Sequence, residues 1–565
     1  MHRFRRQASV LAPLAILAMG AAACGSSSGG GGSAAGNGPT TKLTPASKAT
    51  VGNGGSLTFG YAQACPGFNV NNGNDAVEIC SLIMSPAVLP TTFDVYPDYS
   101  LHADPNLLKG EPTVATTNGK QTVTYKVNPN AKWSDGQPIG LDDFKYMWQA
   151  CNGKNTKYQC ASTTGYDQIE NVAQGSDPQT VVVTFSKPFT DWKSLFGTLL
   201  PAHLFASGGP DAFNKKLEGN PPSWTGGPFK ITNFQKDQSV TLTRWDGYYG
   251  KKAHLDTVTF RFLADESSEP QALQNGEVDL IYPQPQTDII QQVKNIPSVV
   301  SSTNLGADFE HFDFNQKNPF LKDKAVRLAI AQGLDRKQLL AATIAQFTSK
   351  AEPLNNHIFM PGQDGYQDNS GGLGTGKVDQ AAKTLESDGW KKNGTYYQKN
   401  GQTLAMSIST TAGNALRQNQ ETIFKQQMQA LGIKINIQNY PADKFFGDIV
   451  PNEKYDIADF AWVGTPFPVS SNVGIYGTKG GENWINYSNP QVDQWLKQAV
   501  AQTDPQKAID LMNQVDTQLF KDVATMTLYQ KPTYLAYRDK YANIQDNPTN
   551  AGPVWNIWDW GVKSK

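Results

Sequence analysis

The sequence has few of the residues that build metal, redox or nucleic-acid sites. It contains 5 cysteines and 6 histidines among 565 residues, and its 49 basic side chains nearly balance 50 acidic ones. Beyond His2 the histidines are scattered, as His102, His203, His254, His311 and His357. They form no compact ligand set, so we expect no metal and no cofactor. The balanced charge offers nothing that attracts nucleic acid.

Common enzyme motifs and long apolar runs are also missing. There is no H-E-x-x-H and no G-x-S-x-G, and GGLGTG at 371–376 lacks the spacing of a phosphate-binding loop. We therefore expect a protein that is not an enzyme, although fifty acidic residues leave a paired-carboxylate glycosidase open. After residue 23 no apolar run reaches about 18 residues, which predicts a body without membrane spans.

The first 23 residues have the pattern of an export signal. Three arginines precede an apolar run at 8–23, which is too short to span a bilayer comfortably. Small residues then lead to Cys24, and this segment resembles the lipobox of bacterial lipoproteins, with Ala21 where leucine is common. The resemblance implies cleavage before Cys24, acylation of that cysteine with chains such as palmitate, and anchoring to the outer face of the cell membrane. An ordinary secretory signal is the alternative.

A flexible tether is predicted to follow the signal. Residues 24–55 are rich in glycine and serine and hold almost no side chain large enough to bury. Such a segment cannot repay the entropy of ordering, so we expect it to stay disordered. About 30 residues of flexible chain reach on the order of 30 Å, enough to let a folded body move above a membrane.

The four cysteines beyond Cys24 form two pairs that are close in sequence. An exported protein meets oxidising conditions, and short loops favour neighbouring partners among the three possible connectivities. We therefore predict disulfides between Cys65 and Cys80 and between Cys151 and Cys160. A zinc site is the alternative, but the close C-x-x-C spacing and nearby histidines of such sites are missing.

The hydropathy pattern of the body predicts a mixed α and β fold. Residues 403–410 alternate as a strand, an amphipathic helix follows at 416–431, and Gly432 ends it before a strand at 433–438. Such crossovers are almost always right-handed and make the two strands parallel. At the C-terminus, the alternating indoles of WNIWDWG at 555–561 predict a strand whose tryptophans pack inward.

Eight sequence blocks stand in an order that resembles the family 5 solute-binding proteins of ABC importers, the group that includes oligopeptide-, dipeptide- and nickel-binding proteins. The blocks are KWSDGQPIGLDDF at 132–144, GGPFKI at 226–231, LTRWDGYY at 242–249, ALQNGEVDLI at 272–281, NPFLKDKAVRLAIAQGLDRKQLL at 318–340, DQAAKTLESDGW at 379–390, ALGIKINI at 430–437 and YDIADFAWV at 455–463. The resemblance implies an α/β, periplasmic-binding-protein-like type II fold (cluster C), with two lobes and an additional domain.

By the same resemblance the body divides into three domains, the first of them discontinuous. The boundaries it implies are 56–95, 226–310 and 531–565 for domain I, 96–225 for domain II and 311–530 for domain III. The chain would cross between domains I and III near His311 and near Tyr529, which makes these positions hinge candidates. Solute would lie in the cleft between those domains, where concave and closable sites usually form.

The residues that the resemblance places near the solute are Asn69, Tyr282, Phe312, Asn315, Trp462, Thr465, Asn483, Trp484 and Tyr529. Each has a structural alternative: the rings as core residues and the asparagines as caps and turn residues. Thr465 stands where peptide binders of the family carry an aspartate that holds the amino terminus of the ligand. A hydroxyl cannot neutralise an ammonium group, and a charge-assisted hydrogen bond is about twice as strong as a neutral one.

These features predict a lipid-anchored receptor that captures a small solute and delivers it to the permease subunits of an ABC importer. An oligopeptide or peptide-like metabolite is the expected solute, and the chain is expected to be a monomer. Two alternatives stay open: an oligosaccharide receptor of the same family, and a lipoprotein that regulates or scaffolds envelope assembly without transport.

Overall fold

A computed structural model describes residues 48–564 of the chain. The predicted signal at 1–23, the acylation of Cys24 and the tether up to residue 47 lie outside the described residues. The end of the predicted tether is held to the body, because Val51 bridges to Lys563 and the Gly52 N–H donates to the Val562 carbonyl at 2.9 Å. Within 48–564, no helix combines the length and apolarity needed to cross a bilayer.

The strands are β1 Ser56–Tyr61, β2 Phe93–Val95, β3 Leu101–Ala103, β4 Thr113–Thr117, β5 Lys120–Lys126, β6 Ile169–Gln174, β7 Thr180–Phe185, β8 Phe229–Gln235, β9 Ser239–Arg244, β10 Thr257–Phe262, β11 Leu280–Ile281, β12 Val299–Phe314, β13 Lys391–Asn393, β14 Tyr396–Lys399, β15 Gln402–Thr403, β16 Ala405–Ser409, β17 Lys434–Ile437, β18 Ile457–Trp462, β19 Thr525–Arg538, β20 Tyr541–Ala542 and β21 Gly561–Val562.

The helices are α1 Glu78–Met84, α2 Leu141–Cys151, α3 Ala202–Phe205, α4 Gly209–Lys215, α5 Glu269–Asn275, α6 Thr287–Lys294, α7 Lys324–Gly333, α8 Arg336–Ala342, α9 Val378–Ser387, α10 Ala415–Leu431, α11 Ala442–Lys444, α12 Pro468–Tyr476, α13 Pro490–Val500 and α14 Pro505–Asp522.

One large sheet runs through the molecule in the order β17-β16-β18-β12-β19-β11-β1-β10-β9-β8. We call β11, β1, β10, β9 and β8 half A, and β17, β16 and β18 half B. The two long strands β12 and β19 pair with each other and join the halves. A separate four-stranded sheet, β4-β5-β7-β6, shares one hydrophobic core with half A. The three-domain division stays a prediction.

Several local predictions are confirmed. Strands β16 and β17 are parallel and flank α10, and Gly432 after that helix has a left-handed φ of 110°, which glycine adopts without strain. Both disulfides form as predicted, Cys65 with Cys80 and Cys151 with Cys160.

The predicted C-terminal strand is wrong. Residues Gly552–Asp559 form a 3-10 helix that buries Trp555, and a two-residue strand follows it.

Candidate functional site

The two joining strands are irregular where they pass from half A to half B. Their register runs from Leu305 opposite Pro532 directly to Phe309 opposite Gln530. Residues 306–308 therefore stand opposite Lys531 alone. A bulge of this kind bends the strand and re-aims its side chains. It brings Asp308 and Lys531 to the junction of the two halves.

Two glycines make this junction possible. A Cβ on Gly464, just after β18, would lie 2.0 Å from the carbonyl oxygen of Ala307, and a Cβ on Gly306 would lie 2.9 Å from that of Lys531. Neither approach leaves room for a side chain. At this contact the Gly464 N–H donates to Asp308 Oδ1 at 3.0 Å. The loop after β18 thus fixes the position of the Asp308 carboxylate.

Lys531 is buried at the junction without a hydrogen bond. Its residue is 4% exposed, and within residues 48–564 its Nζ has no hydrogen-bond partner. The nearest carboxylate oxygen with which it pairs is Glu310 Oε1, at 3.8 Å. Burial lowers the pKa of Lys531 below its ordinary value, against the opposing field of Glu310. A buried ammonium with unused donors favours an acceptor from outside the chain.

Glu310 is committed to Arg417 in the first turn of α10. Both side chains are buried, and Arg417 Nε and Nη2 each lie 3.0 Å from a Glu310 oxygen. Burial alone would raise the pKa of Glu310, but the charges of Arg417 and Lys531 hold it below its ordinary value. The forked pair therefore stays ionised and ties α10 to β12.

Three further carboxyl groups are affected by the charge of Lys531. Burial raises the pKa of Asp308 to about 7 and that of Glu78, the first residue of α1, to about 8. Burial also raises the pKa of Glu266, whose oxygens accept from the Gln284 N–H and Gln286 Nε2. The charge of Lys531 opposes the shift in all three groups. The ammonium group of Lys531 therefore acts on three carboxyl groups whose pKa values burial raises.

A cavity of about 240 Å³ opens between the halves beside Lys531. We call it the junction cavity. Residues 284–286 and Glu266 line it from half A, and residues 411–416, at the start of α10, line it from half B. Concave binding sites often form between two parts of a fold, as this cavity does.

A second cavity, of about 350 Å³, lies beside the four-stranded sheet. We call it the side cavity. Its lining combines hydroxyl groups with aromatic rings: Ser81, Ser85, Ser162, Ser194, Thr198, Phe93, Tyr166, Phe467 and Trp555. Asn71 also lines it, and among the described residues its Nδ2 has no hydrogen-bond partner. Asp94 and Lys193 line it as well, so the lining carries charged groups of both signs.

Comparison with known proteins identifies the family. The model of the bacterial extracellular solute-binding proteins, family 5 middle, matches residues 104–484. The oligopeptide-binding protein OppA of Mycobacterium tuberculosis (strain ATCC 25618 / H37Rv) is 36% identical over 519 residues, which cover 90% of this chain and 85% of that protein. The chain belongs to solute-binding family 5.

One further relative and two solved structures are also similar to this family 5 protein. The probable monoacyl phosphatidylinositol tetramannoside-binding protein LpqW of M. tuberculosis is 31% identical over 318 residues, or 55% of this chain and 48% of that one. The structure of the periplasmic EDTA-binding protein EppA superposes with a TM-score of 0.88 at 28% identity, covering 93% of this chain and all of that one. That of AppA from Bacillus subtilis with a nonapeptide gives 0.74 at 20%, covering 91% and 100%. The fold is type II, as predicted.

Two of the aromatic residues predicted to meet solute are brought together in the family 5 protein. Trp462 and Trp484 stack with ring centroids 5.1 Å apart, and the His311 ring also stacks with Trp462 at 5.8 Å. Both tryptophans are 6% exposed, and among the described residues Trp462 Nε1 has no hydrogen-bond partner. Thr465 is half-buried nearby, and its hydroxyl accepts from the Phe467 N–H at 2.8 Å.

The predicted asparagines are used by the fold itself. Asn69 Nδ2 donates to the Phe213 carbonyl at 2.6 Å, Asn315 Nδ2 to the Tyr455 carbonyl at 2.8 Å, and Asn483 Nδ2 to the Tyr487 carbonyl at 2.7 Å. All three asparagines are buried. Their contact with solute stays a prediction, and these bonds give each a structural role.

The remaining predicted residues are buried in the sheet. Tyr282 donates its hydroxyl to Asp546 Oδ1 at 2.9 Å, and Tyr529 donates to Gln420. Phe312 lies in the core of half B against Phe424. Their solute contact likewise stays a prediction.

The sequence analysis missed Asp308, Lys531, Glu78 and Glu266. The sequence carried a signal for Lys531 alone: it is a lysine within a strand, and lysine is rarely buried there unless it is paired.

One contact joins the region of the four-stranded sheet to α12. Asp191 Oδ2 accepts from the Ser470 N–H at 2.7 Å, in the first turn of a helix whose own N-cap residue, Phe467, makes no side-chain cap. Beside it the Thr190 N–H donates to the Val500 carbonyl at 2.9 Å. Asp191 therefore caps a helix from a distant part of the chain.

We expect Asp191→Ala to loosen this contact. Loss of an N-cap costs about 1 kcal/mol, so the Ser470 amide should exchange with solvent about fivefold faster. Hydrogen exchange followed by mass spectrometry over 468–476 measures the effect. Asp211→Ala, at an exposed pair with Lys215, is the matched control. Unchanged exchange in the first variant would show that Asp191 does not hold the helix.

Proposed function

We propose that this family 5 protein captures an oligopeptide between the two halves of its sheet and delivers it to the permease of an ABC importer. The observation that carries the proposal is the junction cavity, which Lys531 lines together with residues from both halves. The 36% identity to an oligopeptide-binding protein over most of both chains supports a peptide as the solute. Closing over a ligand that touches both halves is the mechanism expected of such a site.

Binding screens test this proposal directly. Full-length protein in detergent micelles is mixed with pooled pentapeptides, and with maltooligosaccharides in parallel, while thermal unfolding is followed. A solute at 100 times its dissociation constant adds about 2.7 kcal/mol to the free energy of unfolding. We expect peptides to raise the melting temperature. Stabilisation by neither class would favour the regulatory or scaffold alternative.

An oligosaccharide is the second candidate solute. The side cavity supports it, because hydroxyl groups and aromatic rings line that space beside Asp94 and Lys193, and Asn71 Nδ2 is unbonded among the described residues. The relative LpqW, which is 31% identical, is named as a probable monoacyl phosphatidylinositol tetramannoside-binding protein. Stabilisation by the sugar pool alone in the same screen would select this candidate.

We also propose that Cys24 carries the membrane anchor. The support is the signal pattern before it and the lipobox resemblance of residues 21–24. Two or more acyl chains are needed for stable anchoring. Metabolic labelling with an alkyne-tagged palmitate should mark the protein, and Cys24→Ala should abolish the label. Equal labelling of both forms would rule the site out.

A further inference from the structure

The chain enters the described body at a fixed point, beside the start of β1 in half A. The Ala49 N–H donates to Asn543 Oδ1 at 2.8 Å, and Asn543 Nδ2 donates to the Ala49 carbonyl at 3.0 Å. One residue earlier, Lys48 Nζ lies 2.6 Å from Asp559 Oδ2. The segment that leads back to Cys24 therefore leaves from one defined place on the surface.

Lysines gather around this exit point, and we call Lys48, Lys251, Lys252 and Lys563 the exit patch. The carboxylate of Asp559 pairs with both Lys48 and Lys251. The Asp559 side chain is 3% exposed, whereas those of the two lysines are 61% and 45% exposed. Lys252 and Lys563 are exposed, and within residues 48–564 neither forms an ion pair. Positive groups thus stand at the surface above one buried negative group.

Contacts of the entering segment place these lysines on one side of the body. Val51, three residues after Lys48, bridges to Lys563. His254 Nδ1 lies 2.9 Å from Asn53 Oδ1, which brings the loop that carries the other two lysines to the same segment. The exit patch is therefore one continuous surface.

The charge of this surface is positive. Burial lowers the pKa of His254, and the charges of Lys251 and Lys48 lower it further against the opposing charge of Asp559. Most of the carboxylates that border the patch have a cation of their own. They are Asp246 and Asp256, which pair with Arg244, Asp279, which pairs with Lys540, and Asp539, which is exposed.

We propose that the exit patch docks on anionic phospholipid headgroups, so that half A stands against the outer face of the membrane. This inference rests on the proposed anchor at Cys24 and adds an orientation to it. Each lysine that approaches an anionic bilayer adds to the attraction, and the anchor keeps the patch close to the lipid. The body would then present itself to a permease in one orientation.

The length of chain before the exit point favours the membrane as the partner. Residues 24–47 separate the proposed anchor from Lys48. A glycine- and serine-rich chain of about 24 residues has an r.m.s. reach of about 27 Å, whereas a body of this size has a radius of gyration of about 24 Å and a width of about 60 Å. Because the reach is about half the width, the face with the exit point stays nearest the bilayer. A soluble polyanion has no such reason to meet this face.

Lysine footprinting of the anchored protein tests the inference. Full-length protein is reconstituted into nanodiscs of phosphatidylcholine, alone or with about one third phosphatidylglycerol, and briefly acetylated lysines are counted by mass spectrometry. In about 0.1 M salt we expect all four exit-patch lysines to react at least about threefold more slowly on the anionic discs. The difference should vanish in about 1 M salt, where the screening length is about 3 Å. Lys497 and Lys521, exposed on α13 and α14, should react equally on both discs.

Each other outcome has a defined meaning. Equal reaction of the exit-patch lysines on both discs overturns the inference and leaves the anchor standing. Protein that stays with neither disc counts against the anchor, and the inference falls with it. Protection on neutral discs by added inorganic phosphate, or by heparin when anionic discs give none, would assign the patch to a free anion or a soluble polyanion and overturn the membrane as its partner.

A variant pair locates the effect. Lys252→Gln with Lys563→Gln should reduce the protection of Lys48 by at least about half, because two unpaired charges are removed. Lys497→Gln with Lys521→Gln removes the same charge elsewhere and should leave that protection unchanged. A melting curve of each variant reports folding separately. A first variant that folds and keeps full protection of Lys48 would overturn the assignment to these lysines.

Discussion

Replacing Arg417 by methionine is expected to lower the free energy of unfolding by about 3–5 kcal/mol. The guanidinium group is fully buried and holds both oxygens of Glu310, which is also buried. Removing it leaves a carboxylate in the interior with Lys531, at 3.8 Å, as its remaining cation. That lysine sets the lower end of the range, since it compensates part of the lost charge. Urea denaturation at neutral pH measures the change.

Two further variants make this result interpretable. Glu310→Leu combined with Arg417→Met should recover part of the loss, because the unpaired carboxylate is removed while Lys531 loses its partner Glu310. Lys120→Met, which breaks the exposed pair with Glu170, should change stability by less than about 1 kcal/mol. A single Arg417→Met variant with wild-type stability would show that the pair does not hold α10 against β12.

The free energy of unfolding is expected to fall by about 2 kcal/mol as pH rises from 6 to 8. Burial raises the pKa of Asp308 to about 7 and that of Glu78 to about 8, so both groups lose protons across this range in the folded protein. In the unfolded chain both carboxyl groups are already ionised over this range. Urea denaturation at pH 6 and at pH 8 measures the change.

The sign of this change follows from the raised pKa values. A carboxyl group whose pKa is higher in the folded state than in the unfolded state binds protons preferentially when folded. It contributes stability that is present at low pH and is lost as pH rises through about 7 for Asp308 and about 8 for Glu78. Asp308→Asn should therefore unfold at a higher temperature than wild type at pH 8. A free energy of unfolding that is the same at pH 6 and pH 8 would contradict the raised pKa values.

The groups that act on Asp308 and Glu78, or on Lys531 beside them, come from several elements of the fold. They are Tyr61 on β1, Glu266 before α5, Glu310 on β12, Arg417 on α10 and Lys531 on β19. Arg417 and Glu310 neutralise each other, so protonation of the remaining acids dominates the pH response.

Much of the local structure could be predicted because it depends on neighbouring residues. The helix at 415–431 is fixed by its apolar spacing and by Gly432, and the cysteine pairs by their short loops. The terminal WNIWDWG segment shows the limit. Alternating indoles fit a strand, yet Pro553 near its start and burial on two sides favour a 3-10 helix there.

The junction site could not be predicted, since its parts are far apart in sequence. Asp308 and Lys531 meet through a bulge between two long strands, and Glu78 joins them from a helix more than two hundred residues earlier. Pairing register across such a distance leaves no local pattern. The asparagines show the opposite error. A short amide that satisfies nearby backbone looks the same in sequence as one that binds a ligand.

Because β12 and β19 are hydrogen-bonded to each other on both sides of the bulge, the connection between the halves is a two-stranded ribbon and not a pair of independent linkers. A two-stranded ribbon twists and bends in only a few directions, so it limits how the two halves can rotate relative to each other. Under the proposed function, peptides of different sequence would then close the halves along one path to one final shape. A permease that recognises this closed shape could accept varied peptides without contacting them.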